Sequence, residues 1–230
     1  MTTVDLTGRV AVVSGGASGI GAAAAELLSA RGAIVEVLDL PDLDVTDEAA
    51  VVGRFEGIVE RHGRLDLAAN CAGVNGAYGP ITDLSLGEWR RVLDVNLTGV
   101  FLCLREELRH MERGSIVNVS SGAGMRGFAN LAHYVASKHG VIGLTRSAAV
   151  ERARTGVRVN AVAPGVIRTP MLEDFCGHDE DALVAMGRLA PIGRLGTARE
   201  VAEAIVWLLS DASEFVTGAV LCADGGVSAA

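Results

Sequence analysis

Tyr134 and Lys138 stand four residues apart in His133-Tyr134-Val135-Ala136-Ser137-Lys138, within a stretch that predicts a helix. That spacing puts both side chains on one helix face. A phenol, with an ordinary pKa near 10, is a poor base at neutral pH. A fixed ammonium beside it favours phenolate and lowers that value. Moving it to about 7 takes roughly 4 kcal/mol of differential stabilisation. Such a pair suits proton transfer at a substrate oxygen. Lys138 is the chain's sole lysine among 20 basic residues. A lone YxxxK also arises by chance on surface helices, so its neighbours decide the reading.

Four neighbours bear on it. Val119-Ser120-Ser121 ends an apolar run 13 residues before the tyrosine. Asn70-Cys71-Ala72-Gly73 ends another, and Asn96 lies within Asp94-Val95-Asn96-Leu97-Thr98-Gly99. Pro164-Gly165-Val166-Ile167-Arg168-Thr169 follows a further one.

A second cluster is Ser14-Gly15-Gly16-Ala17-Ser18-Gly19-Ile20-Gly21, a GxxxGxG turn after the first apolar run. Gly15 allows a tight turn, Gly19 lets backbone approach a pyrophosphate, and Gly21 lets helix pack on strand. Ser18, Gly19 and Ile20 open a helix whose N-terminus faces the anion. Asp39 ends the second apolar run, placed to accept from an adenosine ribose hydroxyl. It would repel a 2′-phosphate at ~4 Å by roughly 4 kcal/mol, and Ser18, Leu40 and Pro41 supply no cation against it. NAD is favoured over NADP. A purely structural glycine turn and a solvated aspartate are the competing readings.

The elements that would position these residues follow from periodicity. Strands are expected at Val10–Val13, Ile34–Leu38, Leu65–Ala69, Ile116–Val119, Val157–Val162 and Ala219–Cys222. Helices are expected at 19–31, 47–62, 133–154 and from Thr197 to Leu209. Another runs from a Ser85/Glu88 capping box to about His110. Continuous apolar strands alternating with helices indicate a parallel sheet covered on both faces, a doubly wound α/β fold. Ligands of such sheets bind beyond the carboxyl ends of the strands, where every motif above falls.

Of the chain's 230 residues, half are hydrophobic and the net charge is −8. That composition supports a large core and excludes disorder, and the acidic balance disfavours nucleic acid. Cys71, Cys103, Cys176 and Cys222 form no CxxC pair, so no metal is expected and a reduced compartment fits. No apolar run reaches membrane-spanning length, and Met1-Thr2-Thr3-Val4-Asp5 lacks the features of a secretory signal. A cytoplasmic protein with no membrane partner is expected.

In this order and spacing the motifs resemble the short-chain dehydrogenase/reductase family across residues 6–227. They are the glycine turn, NxAG, VNLxG, the serine pair, YxASK, PG-x-x-x-T, Pro191-Ile192-Gly193-Arg194 and Ala223-Asp224-Gly225-Gly226. The resemblance implies one Rossmann-type catalytic domain over residues 1–230, with a substrate lid at about 171–190. It implies Tyr134 as general acid/base and Lys138 as the residue that lowers its pKa and holds the nicotinamide ribose. Ser121 would bond the reacting oxygen, Ser120 being its twin. Asn96 would anchor a relay water near Lys138. Asn70, Ala72 and Gly73 would line the adenosine side, and Asp44 with Val45 the adenine edge. Pro164, Gly165, Ile167 and Thr169 would fix the carboxamide. Val74, Asn75, Ala123, Met125, Phe128 and His133 would line the substrate pocket together with the lid.

One departure stands out. Only four residues separate Asp39 from Asp44, where relatives place a helix and a third strand. The helix between strands two and three is therefore expected to be shortened or missing. An apolar stripe from Trp89 to Leu108 and a second at Val141, Ile142, Leu144 and Val150 imply a homo-oligomer, by resemblance a tetramer. The expected activity is NAD-dependent interconversion of a secondary alcohol and a ketone. The alternatives are a redox-silent dinucleotide sensor, or an enoyl reductase or epimerase on the same fold.

Overall fold

Short Val/Ala/Ile runs build the centre of the computed structural model, which describes residues 4–229. Met1–Thr3, the start of the segment lacking a secretory signal, lie outside the described residues. The strands are β1 (Val10–Ser14), β2 (Ile34–Leu38), β3 (Leu67–Asn70), β4 (Gly114–Val119), β5 (Val157–Pro164), the two-residue β6 (Ile167–Arg168) and β7 (Gly196–Thr197), and β8 (Val220–Ala223). Six of them form one all-parallel sheet, ordered β2-β1-β3-β4-β5-β8; β6 pairs only with β7.

The helices are α1 (Gly19–Ala30), α2 (Glu48–His62), α3 (Leu86–Leu93), α4 (Gly99–His110), α5 (Ala132–Arg152), α6 (Pro170–Phe175), α7 (Glu180–Gly187) and α8 (Ala198–Leu209). Alternate strand residues feed two cores. Ala11, Val13 and Ala69 pack with Leu27 and Leu28 of α1 and with Ile205 and Leu208 of α8. Val10, Val12 and Ala68 pack with Phe55 and Ile58 of α2, Leu102 of α4 and Ala148 of α5. Burial on both faces is why these strands read as continuous apolar runs.

Local chemistry sets the helix ends. Asp47 caps α2 by accepting from the Ala50 N–H, and Gly63 ends it at φ +69°. Thr197 and Glu200 make a reciprocal capping box on α8. The box expected at Ser85 is only half made. Ser85 Oγ accepts from the Glu88 N–H, but the Glu88 carboxylate accepts from the Ala77 N–H at 2.7 Å and from Arg91. The single helix expected up to His110 is also interrupted. A π turn at Asp94–Thr98 separates α3 from α4 and buries Asn96 completely. Such bulges re-aim side chains at functional sites.

Leu38 to Asp47 is spanned by turns alone, so the helix that relatives place after β2 is missing as expected; no strand forms there either, and α2 follows directly. β2 is therefore an edge, with Ile34 47% and Val37 37% exposed. Arg54, Arg61 and His62 of α2 guard it. Glu36 pairs with Arg61 at 3.0 Å and His62 at 2.8 Å, and Arg54 donates to the Val37 carbonyl at 3.3 Å. Charge on an edge strand blocks pairing with another chain. No helix among the described residues is long and apolar enough to cross a membrane.

Beneath the sheet's carboxyl edge lies a buried polar network. Asn70 Nδ2 donates to Glu107 at 3.0 Å and to Asn118 at 2.9 Å, and Asn118 donates to Thr145 at 3.0 Å. Glu107 is fully buried, its Oε1 has no partner, and burial pushes its pKa up to about 8. The fold therefore favours the protonated carboxyl. That contribution is complete below the ordinary carboxylate range near 4.5 and is lost as pH rises through about 8. Across that window stability should fall by roughly 1.4 kcal/mol per pH unit from this group. Denaturant unfolding of wild type and Glu107→Gln between pH 5 and 9 checks this. The variant should lose that slope; parallel curves would refute the assignment.

Candidate active site

The start of α5 and the end of β4 bring the catalytic candidates together. The Ser121 side chain lies near enough to the Tyr134 hydroxyl to favour its ionised form and accepts from the Ala123 N–H at 3.1 Å, whereas Ser120 is buried and donates to the Lys138 carbonyl at 2.9 Å. Gly124 permits that contact, since a Cβ there would lie 2.3 Å from Ser120 Oγ. Lys138 is 4% exposed, and its Nζ donates to the Val119 carbonyl at 3.0 Å. The ammonium lies 5.7 Å from the Tyr134 ring centroid. Burial lowers its pKa to about 8.

The expected depression of the phenol by Lys138 is not the net outcome of this geometry. Burial raises the Tyr134 pKa, and the nearby Ser121 side chain opposes that only in part. The ammonium is partnered by a carbonyl rather than by the phenol oxygen. Ionising Tyr134 therefore demands further positive charge in the cleft.

Asn96 stands beside this group. A Cβ on Gly73 would lie 3.3 Å from Asn96 Oδ1 and 3.5 Å from Lys138 Nζ. The Asn96 amide clamps both backbone groups of Val74, accepting from its N–H at 2.7 Å and donating to its carbonyl at 2.8 Å. Its side chain thus fixes the loop after β3.

The glycine turn closes on that loop. Gly15, at φ +66°, approaches so near that a Cβ would lie 2.6 Å from the Ala72 nitrogen. At Gly21 a Cβ would lie 2.0 Å from the Gly15 carbonyl. Ser18 caps α1 without using its side chain, and no acid lies in the first turn, so the helix N-terminus is open to an anion. Gly19 faces Thr169, where a Cβ would sit 3.4 Å from the Thr169 methyl. The turn, Asn70-Cys71-Ala72-Gly73 and Pro164–Thr169 therefore share one crevice. Asp39 is fixed at its rim, accepting from the Ala17 and Leu40 N–H groups at 2.8 Å each. An open anion site with a carboxylate at the ribose position fits a dinucleotide.

Two sequence expectations, for the Asn70 side chain and for His133, land elsewhere. The Asn70 side chain turns into the buried network, so only its backbone can face an adenosine. The Val45 side chain is buried against Gly99, and Asp44 accepts from the Thr46 N–H and hydroxyl, which leaves the exposed Asp44 carboxylate and the Val45 backbone for the adenine edge. His133 is 1% exposed and lines no open pocket. Its Nδ1 accepts the Tyr134 N–H at 2.8 Å, which puts the ring proton on Nε2. Nε2 is unpartnered and abuts Gly76, whose φ is +81°. Cys71 is inert, its thiol pushed up to about 12 by burial.

α6 and α7, the segment expected to form a lid, lie beside the loop after β3. Glu88 holds the Ala77 N–H, a tie that the sequence pattern disguised as half a capping box. Arg168 bonds Glu173 of α6 and Glu180 of α7, joining both lid helices to the crevice. Tyr78 meets Phe175 edge-on at 5.9 Å.

A family model described as enoyl-(acyl carrier protein) reductase matches residues 40–228. Cis-4-hydroxycyclohexanecarboxylate dehydrogenase of Sinomonas cyclohexanicum is 45% identical, covering 96% of this chain and 97% of that protein. A 2,5-dichloro-2,5-cyclohexadiene-1,4-diol dehydrogenase of Sphingobium indicum is 40% identical, covering 98% and 99%. The crystal structure of levodione reductase superposes with a TM-score of 0.93 at 38% identity, covering 97% of this chain and 99% of that one.

His133 supplies a test of the local geometry. His133→Leu removes the acceptor of the Tyr134 N–H and should cost about 1 kcal/mol of stability. Amide exchange at Tyr134 should accelerate. His133→Asn, which keeps an acceptor, should restore protection; equal exchange in all three proteins would refute the contact.

Proposed function

The chain belongs to the short-chain dehydrogenase/reductase family, oxidoreductases of CH–OH groups and ketones that use a nicotinamide dinucleotide, and we propose that it oxidises a cyclic secondary alcohol with NAD. The observation that carries this reading is the meeting of Ser121, Tyr134 and Lys138 at one mouth of the dinucleotide crevice. The named relatives act on six-membered rings bearing hydroxyl groups, and the apolar rim here suits such a ring.

Tyr134, once its own proton has left through the relay water and it stands as phenolate, takes the proton from the substrate hydroxyl during oxidation; as the phenol it gives a proton back during reduction. Ser121 holds the same oxygen, so that the carbinol carbon faces the crevice. Lys138 binds the ribose and contributes positive potential beside the phenol. When bound, the nicotinamide dinucleotide accepts or supplies the hydride, and its oxidised ring adds the second positive charge that Tyr134 needs. Asn96 keeps the loop after β3 against Lys138 and would anchor a relay water there.

The N–H groups of Gly19 and Ile20 take the pyrophosphate. Asp39 accepts from the adenosine ribose and repels a 2′-phosphate, hence NAD. The backbone of Asn70 with Ala72 and Gly73 lines the adenosine, and Pro164, Gly165, Ile167 and Thr169 fix the carboxamide. An apolar groove between α4 and α5, lined by Leu97, Phe101 and Leu144, fits the homo-oligomer expected from the helix stripes.

The description of the family model favours enoyl reduction as the second reading. An alcohol oxidation assay followed by nicotinamide absorbance, with an enoyl thioester run in parallel, separates the two. Cyclohexanol should be oxidised and the thioester left untouched. Tyr134→Phe should lower kcat by about 1,000-fold or more, while the dinucleotide still binds by fluorescence titration. Undiminished turnover in that variant would sink the acid/base assignment. Asp39→Ala should shrink the NAD-over-NADP preference in kcat/KM by about 10-fold or more; an unchanged ratio would dissociate the carboxylate from specificity.

A further inference from the structure

We infer that Glu107 is a positioning residue for dinucleotide binding: as a neutral acid it pins Asn70 and thereby sets the two loops of the crevice, and on ionising it loosens their hold. The inference rests on the dinucleotide reading above and names a residue outside the cleft that sets the affinity. The geometry is a chain of side chains at the carboxyl edge of the sheet. Asn70 ends β3, and each hydrogen of its amide has one taker, Glu107 Oε2 at 3.0 Å and Asn118 Oδ1 at 2.9 Å. Its Oδ1 accepts from the hydroxyl of Ser14, the last residue of β1, at 3.3 Å. The Ser14 carbonyl in turn accepts from the Cys71 N–H at 3.0 Å. All four side chains of this chain, Ser14, Asn70, Glu107 and Asn118, are buried. The residues that follow are the crevice itself: Gly15 begins the turn after Ser14, and Cys71 leads from Asn70 to Ala72, against which Gly15 lies.

Glu107 is the one member of the chain that can change charge. Its Oε1 is buried and has no partner among the described residues. On a carboxylate that atom becomes an unpaired anionic oxygen, which is far more costly to bury than a neutral carboxyl. No cation answers it. On α4 its titratable neighbours are Cys103, whose thiol burial keeps protonated, and Glu106, which takes Arg105 and Arg109. β3 and β4 present the amides of Asn70 and Asn118, and α5 presents the Thr145 hydroxyl, already bound to Asn118. α2, packed on α4, buries Val51, Phe55 and Ile58 and sends Glu48 to Arg105. The donor within reach is therefore Asn70. A carboxylate competes with Asn118 for the second amide hydrogen, and taking it turns the amide that stands at the root of both loops. A dinucleotide held between turn and loop needs Gly15 and Ala72 at their present spacing, so it binds the neutral form better. With its pKa pushed up to about 8, Glu107 makes this exchange just above neutral pH.

The test is a set of NADH fluorescence titrations between pH 6.5 and 9 in wild type, Glu107→Gln and Glu107→Leu. Lys138, with a pKa of about 8, titrates in the same range, but its share is common to all three proteins. Glu107→Gln keeps an acceptor for Asn70 and cannot ionise. It should bind NADH as wild type does at pH 7, and between pH 7 and 9 the wild-type Kd should rise about 5-fold more than that of the variant. Glu107→Leu removes the acceptor. It should bind about 5-fold more weakly than Glu107→Gln at pH 7 and follow the same shallow profile. Parallel profiles for wild type and Glu107→Gln would overturn the inference. Equal affinities of the two variants at pH 7 would also overturn it, leaving Glu107 a space-filling role. Should Glu107→Leu fail to fold, the comparison of wild type with Glu107→Gln decides by itself. If wild type bound NADH at no pH, the dinucleotide reading would fail, and this inference with it.

Discussion

A lysine side chain held at 4% exposure has to be stabilised by groups that the fold itself places. For Lys138 the hydrogen-bond partner is the Val119 carbonyl at the end of β4, with Gly73 of the loop after β3 and Asn96 of the π turn nearby. Burial takes the lysine down to about 8, which leaves it largely charged at neutral pH. It is thus a positive charge delivered at low dielectric, where its reach is greatest. The same desolvation acts on Tyr134 in the opposite sense and keeps its proton on. The resting site therefore holds a neutral acid beside a cation. On the proposed mechanism Tyr134 would become a base only when more positive charge enters with the cofactor.

Close backbone approach is what makes this placement possible. β1 and β3 are neighbours, and the chain leaves them toward opposite edges of the sheet. Their loops part to form the crevice, and Gly15 lies against Ala72 at its floor. A side chain at Gly15 would push the loop after β3 away from the turn. Gly73 and Val74 belong to that loop, and through them the disturbance would reach Lys138 and Asn96. The anion site and the proton-transfer site are thus one mechanical unit, though Gly15 and Tyr134 lie far apart in sequence.

Much of this was legible in the sequence because the signals are local. Strand runs, helix caps at Asp47 and Thr197, and the glycine turn are written in consecutive residues. The four-residue gap between Asp39 and Asp44 alone disclosed the lost helix. What stayed hidden depended on tertiary partners. Nothing in the sequence around Asn70 says that its amide turns inward to Glu107, because Glu107 lies 37 positions later. The Ser85/Glu88 pattern correctly marked a helix start, yet the carboxylate was claimed by the Ala77 N–H of another loop. The π turn escaped because periodicity through Leu93 and Leu97 reads as an unbroken helix. The direction of the Tyr134 shift escaped for a related reason: spacing reports which groups are near, while burial decides which charge form survives.

The two walls of the cleft differ in how they are held. The wall carrying Val74 to Gly79 is tied by amide and carboxylate hydrogen bonds to α3, the π turn and the segment before α5. The opposite wall, α6 and α7, is tied chiefly through exposed ion pairs from Arg168. Exposed pairs contribute little and weaken with salt. The two walls therefore answer to different conditions: contacts of neutral amides with backbone keep the first in place at any ionic strength, while the ion pairs of the second loosen as salt rises.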